Sequence, residues 1–190
     1  MIINFLKQPQ CGDIAFSHPV KLGFYSRAVR FFTRSRWSHC FFMPHNYLGK
    51  TVVMEADLCV QIVPFQKEYV EKKSDCYEIF RPIKASKLEI ISASEKCFNL
   101  VAGTQYGFID IPWHALKAIA GWIGIKLENN PIETGTICND VLYCYLDHLN
   151  AEYKESIKHL KMNDTNPQEI YDIVINRPDL FEFVGSRKNA

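Results

Sequence analysis

Hydrophobic and polar positions follow two rhythms along this chain, and the rhythm changes near residue 86. Upstream, short apolar runs bounded by turn residues predict strands. Gly12-Asp13 opens one at residues 14–17, and others are expected at 37–43, 51–56, 60–63 and 76–80, the last ended by Pro82. Pro44, His45, Asn46 and Gly49 mark a turn between the second and third runs. Strands this close in sequence predict an antiparallel meander. Residues 22–34 interrupt it with a helical pattern that turns Ala28, Val29, Phe31 and Phe32 to the core.

From Ser86 to Ala102 the period is helical, with Leu88, Ile91, Cys97, Phe98 and Val101 on one face and Gly103 suited to the C-terminal cap. Residues 112–121 predict a short, very apolar helix. The wider stretch from Ala115 to Ile125 is apolar on more than one face, so it is either a helix buried on all sides or a cover over a substrate cleft that includes Trp113 and Trp122. Asn129-Asn130-Pro131 breaks the chain before another helix near 138. A last helix is expected from Pro167 to Ile175, and Leu180 to Val184 adds a strand or an extended segment. The fold class is α+β: one domain over 1–190, with a small antiparallel sheet of about four to six strands and helices packed on it.

Composition narrows the function. With 47% apolar and 23% charged residues in 190, the chain can bury a sizeable core as one globular domain. A formal net charge of +1 gives no global pull toward nucleic acid. It also favours a solvated helix face over a phosphate patch for Arg27, Arg30 and Arg34. No apolar run reaches the ~18 residues of a spanning helix, and residues 1–7 turn polar too soon for a secretory signal. Seven cysteines without a C-x-x-C pair argue against a disulfide framework or a zinc site. A reducing, cytoplasmic setting fits, with Cys40, Cys59 and Cys97 as small core residues.

The candidate chemistry centres on Cys138. Gly135 and the potential N-cap Thr136 precede it, and Val141, Leu142 and Tyr145 give an apolar helical face after it. A cysteine in the first turn of a helix meets unpaired N–H groups and a favourable dipole, which promote the thiolate. A base and an orienting group are then needed. If residues 38–43 and 51–56 form a hairpin with an index sum of 94, His39 faces Glu55 on one side of the sheet, and the carboxylate can fix the imidazole tautomer. A slip of one residue would separate the two. Each residue also has a purely structural reading. His18, His45, His114, His148 and His159 are rival bases in weaker contexts.

The stretches Gly12-Asp13-Ile14-Ala15-Phe16, Ser26 to His39 ending in Trp37-Ser38-His39, Met54-Glu55-Ala56 and Thr136-Ile137-Cys138-Asn139-Asp140 together resemble the circularly permuted papain-like cysteine hydrolases of the NlpC superfamily, YiiX/YaeF type. The resemblance covers about positions 12–145. It implies His39 as base, Glu55 as its orienting acid and Cys138 as nucleophile, the papain cycle cut at another point. It departs where Asn139 and Asp140 replace the family's usual Ser and Glu, and where Gly107 follows Tyr106 in place of Asp. The Asn-Cys-Glu-His signature of the related lecithin:retinol acyltransferases is absent.

The reading is therefore a thiol hydrolase cleaving an amide, ester or thioester through an acyl-enzyme intermediate. Its substrate would be a peptide, a peptidoglycan-type molecule or another acyl-bearing compound. Tyr106, Trp113 and Trp37 are the candidate substrate contacts. The chemistry needs no metal or organic cofactor. Two rivals remain: an acyl hydrolase or acyltransferase acting on lipid at a membrane with the same three residues, and a binding module that keeps the fold without catalysis.

Overall fold

The structure, a computed structural model, describes residues 2–19, 27, 30, 31, 34–47, 49–56, 59–72, 75–101, 104, 116, 119, 120, 122–125, 127, 138–162 and 165–188. The described strands are β1 (Ile2–Phe5), β2 (Ile14–Pro19), β3 (His39–Phe42), β4 (Asn46–Tyr47), β5 (Lys50–Ala56), β6 (Val60–Pro64), β7 (Asp75–Pro82) and β8 (Phe181–Lys188). The described helices are α1 (Lys87–Val101), α2 (Cys138–Leu149), α3 (Ala151–Ile157) and α4 (Pro167–Asn176), with a π-helical segment at Gln66–Lys72. All strand pairs are antiparallel, in the order β1-β8-β7-β2-β3-β5-β4, with β6 also on β5.

The α+β class holds, but the eight described strands exceed the expected four to six. The two additions are β1 and β4. β8 slots between β1 and β7, so the expected tail becomes an interior strand and residues 2–5 become the edge. β4 is a short pair at the hairpin tip, where Asn46 faces Thr51 and Gly49, at φ 75°, supplies the left-handed residue a tight turn requires.

Side chains alternate across the sheet and build a core on each face. Ile14, Phe16, Cys40, Phe42, Met54 and Ala56 pack beneath α2 with Cys138, Val141, Leu142 and Tyr145. Ala15, Phe41, Met43, Val53, Tyr77, Ile79 and Val184 form the other core, with Phe65 just before the π-helical segment and Tyr69 within it. Burial on both faces explains why the strands read as near-continuous apolar runs. The expected first strand is fully buried from Ile14 to Ser17.

Capping fixes the helix boundaries. Ser86 and Glu89 close a capping box on α1: the Glu89 N–H donates to Ser86 Oγ at 3.2 Å and the Ser86 N–H to Glu89 Oε2 at 2.7 Å. Asn166 and Glu169 do the same for α4, with Pro167 in its first turn. The face of α1 differs from the expected one. Ala93, Ser94, Cys97 and Val101 are buried, whereas Leu88 and Phe98 are exposed. Small side chains let α1 approach α2 closely, where the Cys97 thiol donates to the Val141 carbonyl at 3.4 Å. Cys59, expected in the core, is exposed. The expected helix at 22–34 is described only at 27, 30, 31 and 34, of which the first three are helical and 34 is a turn, and most of 112–121 lies outside the described residues.

Candidate active site

Two braces set α2 against β3. Phe42 stacks on Tyr145 with ring centroids 4.2 Å apart and planes 7° apart. The Tyr145 hydroxyl then donates to the Gly12 carbonyl at 3.2 Å, while the Gly12 N–H donates to the Met43 carbonyl at 2.7 Å. Gly12 sits at φ 92°, and a Cβ there would lie 2.7 Å from Ile90 Cδ1, so the crossing of β2, β3, α1 and α2 accepts glycine alone. Asp13 follows, fully buried, and takes a two-pronged contact from Arg81: Nε to Oδ1 at 2.7 Å and Nη2 to Oδ2 at 3.0 Å. The Gly-Asp pair of the sequence motif is thus a structural joint beneath the site.

Cys138 is the first residue of α2 and is buried against β3. The helix's first N–H groups have no acceptor within the helix and point toward its start. His39 is the first residue of β3, 19% exposed, and its Nε2 lies 3.0 Å from Glu55 Oε2. Glu55, on β5, is 1% exposed and accepts from two further donors, Tyr69 Oη on Oε2 and Gln61 Nε2 on Oε1 at 3.1 Å. Gln61 is the residue paired with Glu55 across the β5–β6 ladder. With Nε2 committed to Glu55, Nδ1 is the ring nitrogen left for the Cys138 thiol.

The electrostatics run in one direction. Burial works against a charged His39, but its hydrogen bond and charge interaction with Cys138, followed by those with Glu55, raise it from an ordinary 6.5 to about 10. Cys138 falls well below the usual thiol range. The hydrogen bond from the Cys40 thiol is the largest cause; burial opposes it, and the bond to and charge of His39 support it. Cys40 moves the opposite way, pushed up by burial and then by its bond to Cys138. These directions favour a thiolate paired with an imidazolium, with the Cys40 thiol as a donor to Cys138 and the Glu55 carboxylate beside the ring.

Cys138, His39 and Glu55, the three residues singled out in the sequence, therefore meet. Trp37 does not line an open surface. It is fully buried, packed against Phe16 and Tyr171 at centroid distances of 6.4 and 5.3 Å. Tyr106, Trp113 and the capping residue Thr136 lie outside the described residues. Asn139 and Asp140 are buried, and the Asn139 amide donates to the Thr165 carbonyl, so Asn139 braces the start of α2. Sequence reading missed Tyr69, Gln61 and Cys40. Gln61 was within reach, since a tight connection between residues 51–56 and 60–63 places it opposite Glu55. Tyr69 sits in a π-helical segment without a repeating pattern, and Cys40 reads as an ordinary core residue.

Among the described residues, no group of three or more His, Cys, Asp or Glu side chains is arranged to hold a metal ion, and no helix is long and apolar enough to cross a membrane. No protein-family model matches the chain, and no curated protein matches it. The fold is shared with the crystal structure of metalloprotein YiiX from Escherichia coli O157:H7. The two are 18% identical, with a TM-score of 0.55, over 96% of this chain and 99% of that one.

Proposed function

We propose that the protein is a thiol hydrolase of permuted papain-like design, with Cys138 as nucleophile, His39 as acid and base, and Glu55 as the group that orients His39. One observation carries the reading: a thiol, an imidazole and a buried carboxylate in hydrogen-bonded series, with His39 raised to about 10 and Cys138 lowered. Structural ion pairs in a core are generally made from Arg, Lys, Asp and Glu. A cysteine and a histidine perturbed toward their charged forms at a helix start are what acyl transfer requires.

The reaction follows from the geometry. The Cys138 thiolate attacks the acyl carbon, and the carbonyl electrons move onto oxygen. The N–H groups of the first turn of α2, which have no acceptor within the helix, receive that oxyanion. The carbonyl re-forms as the leaving amine, alcohol or thiol departs with the His39 proton. Neutral His39 then takes a proton from water, hydroxide attacks the thioester, and the acid is released with the thiolate restored. Glu55, held by Tyr69 and Gln61, supports the imidazolium in both halves. The structural neighbour YiiX is a metalloprotein; among the described residues of this chain no group of three or more His, Cys, Asp or Glu side chains is arranged to hold a metal ion.

The substrate class is an acyl compound with an amide, ester or thioester bond. The test is labelling by a panel of thiol-directed acyl probes with amide, ester and thioester warheads, followed by peptide mapping. Attachment at Cys138, lost in His39→Ala, supports the reading. Attachment that ignores both residues overturns it in favour of a non-catalytic binding module.

A further inference from the structure

A second site lies in the segment that leads into His39. Arg27, Arg30, Arg34 and Arg36 line a groove of about 890 Å³ with Phe31 and Trp122 as its aromatic wall, and no acidic side chain lines it among the described residues. Two of the arginines are held in place. Arg36 bonds Glu78 at 2.9 Å and lies over Trp37, and Arg34 lies 5.1 Å above the Trp122 ring. Phe31 meets the same indole edge-on at 5.6 Å. Arg30 Nε is buried without a hydrogen-bond partner. A buried guanidinium donor of this kind is costly unless a ligand completes it.

Arg34 is also in a conformation that its side chain disfavours. The Ser35 N–H donates to the Arg30 carbonyl at 3.1 Å and the Arg34 N–H to the Phe31 carbonyl at 3.4 Å, the bond pattern of a helix ending on a left-handed residue. Arg34 occupies that left-handed position at φ 52°, where glycine is the usual residue. The chain keeps an arginine where glycine would fold at lower cost. In the chain on either side of Trp122, Leu116, Ile119, Ile123 and Ile125 are exposed. Trp122 packs on Arg34 and Phe31, so it joins this apolar stretch to the basic groove.

We infer that this surface binds an anionic phospholipid membrane, with the groove arginines on the headgroup phosphate and the apolar residues around Trp122 in the acyl boundary. Arginine suits a phosphate through its forked N–H donors, and tryptophan suits the boundary between headgroup and acyl chain. The near-neutral chain as a whole argues for a local, not a global, attraction. The arginine row that reads as a solvated helix face in sequence is a ligand surface once Trp122 is folded against it. The binding does not depend on the thiol chemistry. A lipid substrate would deepen the hydrolase reading, because only two residues separate Arg36 from His39.

The test is co-sedimentation of the full chain with phosphatidylcholine vesicles, with and without phosphatidic acid. Binding should require phosphatidic acid and weaken with salt. It should fall about fivefold per arginine in Arg30→Gln and Arg34→Gln, the weight of one basic residue at an anionic surface. Arg34→Gly is the decisive variant: its melting temperature should rise while vesicle binding falls. A purely structural Arg34 would gain stability and leave binding unchanged, which overturns the proposal. Equal binding to both vesicle types overturns it, as does arginine-dependent binding of inorganic phosphate without vesicle binding. Because the readout is sedimentation, Cys138→Ala should bind as the wild type does. Failure here leaves the hydrolase reading intact, and failed acyl labelling leaves this one intact.

Discussion

Glu55 continues the β3–β5 ladder opposite Phe41, yet its carboxylate meets the His39 ring at 3.0 Å. Phe42 pairs with Met54, an index sum of 96 in place of the 94 that would set His39 directly against Glu55. The slip is two residues, so both side chains stay on one face of the sheet, and the contact becomes diagonal. A long glutamate and an imidazole at the strand's first residue span the diagonal. Removing the carboxylate should therefore weaken catalysis by misorienting the ring as well as by losing charge. Glu55→Gln should retain more activity than Glu55→Ala, since the amide oxygen can still accept the His39 N–H. Steady-state rates on whichever acyl probe labels Cys138 would show this ranking. Tyr69→Phe should fall between wild type and Glu55→Gln, because it frees one oxygen of the carboxylate without displacing it.

This register also marks what could be read from the sequence. The strand pattern was legible because short apolar runs and the turn residues that bound them are local signals. The face shared by His39 and Glu55 survived a register error because only the parity of the slip matters. The placement of β8 between β1 and β7 was not legible, since it joins segments from opposite ends of the chain. The inward face of α1 was legible only at Cys97 and Val101: Ala93 and Ser94 carry little hydrophobic signal, and the pattern favours Leu88 and Phe98, which stay outside. Trp37 drew attention as an aromatic beside the base, but its ring fills the core under α4.

Cys138→Ala and Cys138→Ser should abolish turnover and leave the melting temperature near that of the wild type. Cys138 sits at the end of the core, and the Phe42–Tyr145 stack that docks α2 does not involve it. Thermal melts alongside acyl-probe turnover separate a lost nucleophile from a lost fold. Full turnover in a folded Cys138→Ala would remove the mechanism.

The ion pair gives a pH signature. His39 is raised above its ordinary 6.5, so its stabilising contribution is complete below 6.5 and disappears as pH rises through about 10. Cys138 is lowered well below the usual thiol range, which favours its thiolate at neutral pH. The alkylation rate of Cys138 should therefore be flat from neutral pH upward until His39 loses its proton. In His39→Ala the rate at neutral pH should be lower and should rise with pH, because the imidazole's share of the lowering is gone while the bond from Cys40 remains. Turnover in that variant should drop about 10²-fold or more, the usual loss of a general base. Iodoacetamide rates from peptide-mapped mass spectrometry across pH check both statements.

Mapping by peptide matters because of Cys144. It too is lowered, to about 7, first by a hydrogen bond from Cys97 and, against burial, by the charge of and a bond to His148, whose Nδ1 is 3.8 Å away. It lies two turns along α2 from Cys138 and is 4% exposed. A bulk thiol titration would thus count two low thiols. Cys144→Ala should remove one of them without changing acyl-probe turnover, since Cys144 faces α1 and not β3.

Asp13 and Arg81 should carry stability, not catalysis. Arg81→Ala leaves a fully buried carboxylate with the Gln10 N–H as its remaining close donor at 2.8 Å, because the two-pronged guanidinium contact is gone. Loss of one partner of a buried pair costs about 3–5 kcal/mol, and burial already pushes Asp13 up despite Arg81. Denaturant unfolding should report a loss in that range. The deficit should shrink at low pH, where a protonated Asp13 no longer needs the arginine.

Cys40 provides the sharpest test of how the thiolate is held. Its thiol is the largest single cause that lowers Cys138, and it sits on the face of β3 beneath α2, fully buried. Cys40→Ala removes the donor and leaves a small gap. A hydrogen bond to a charged group is worth about 1.5–3 kcal/mol, so Cys138 alkylation at neutral pH should slow by about tenfold or more. Cys40→Ser keeps a donor of similar size and should restore most of that rate. If Cys40 served packing alone, the two variants would rank the other way, because an unneeded buried hydroxyl is costlier than a methyl group. Alkylation kinetics of the mapped Cys138 peptide in both variants, with unfolding curves to confirm that each is folded, distinguish a thiolate donor from a core filler.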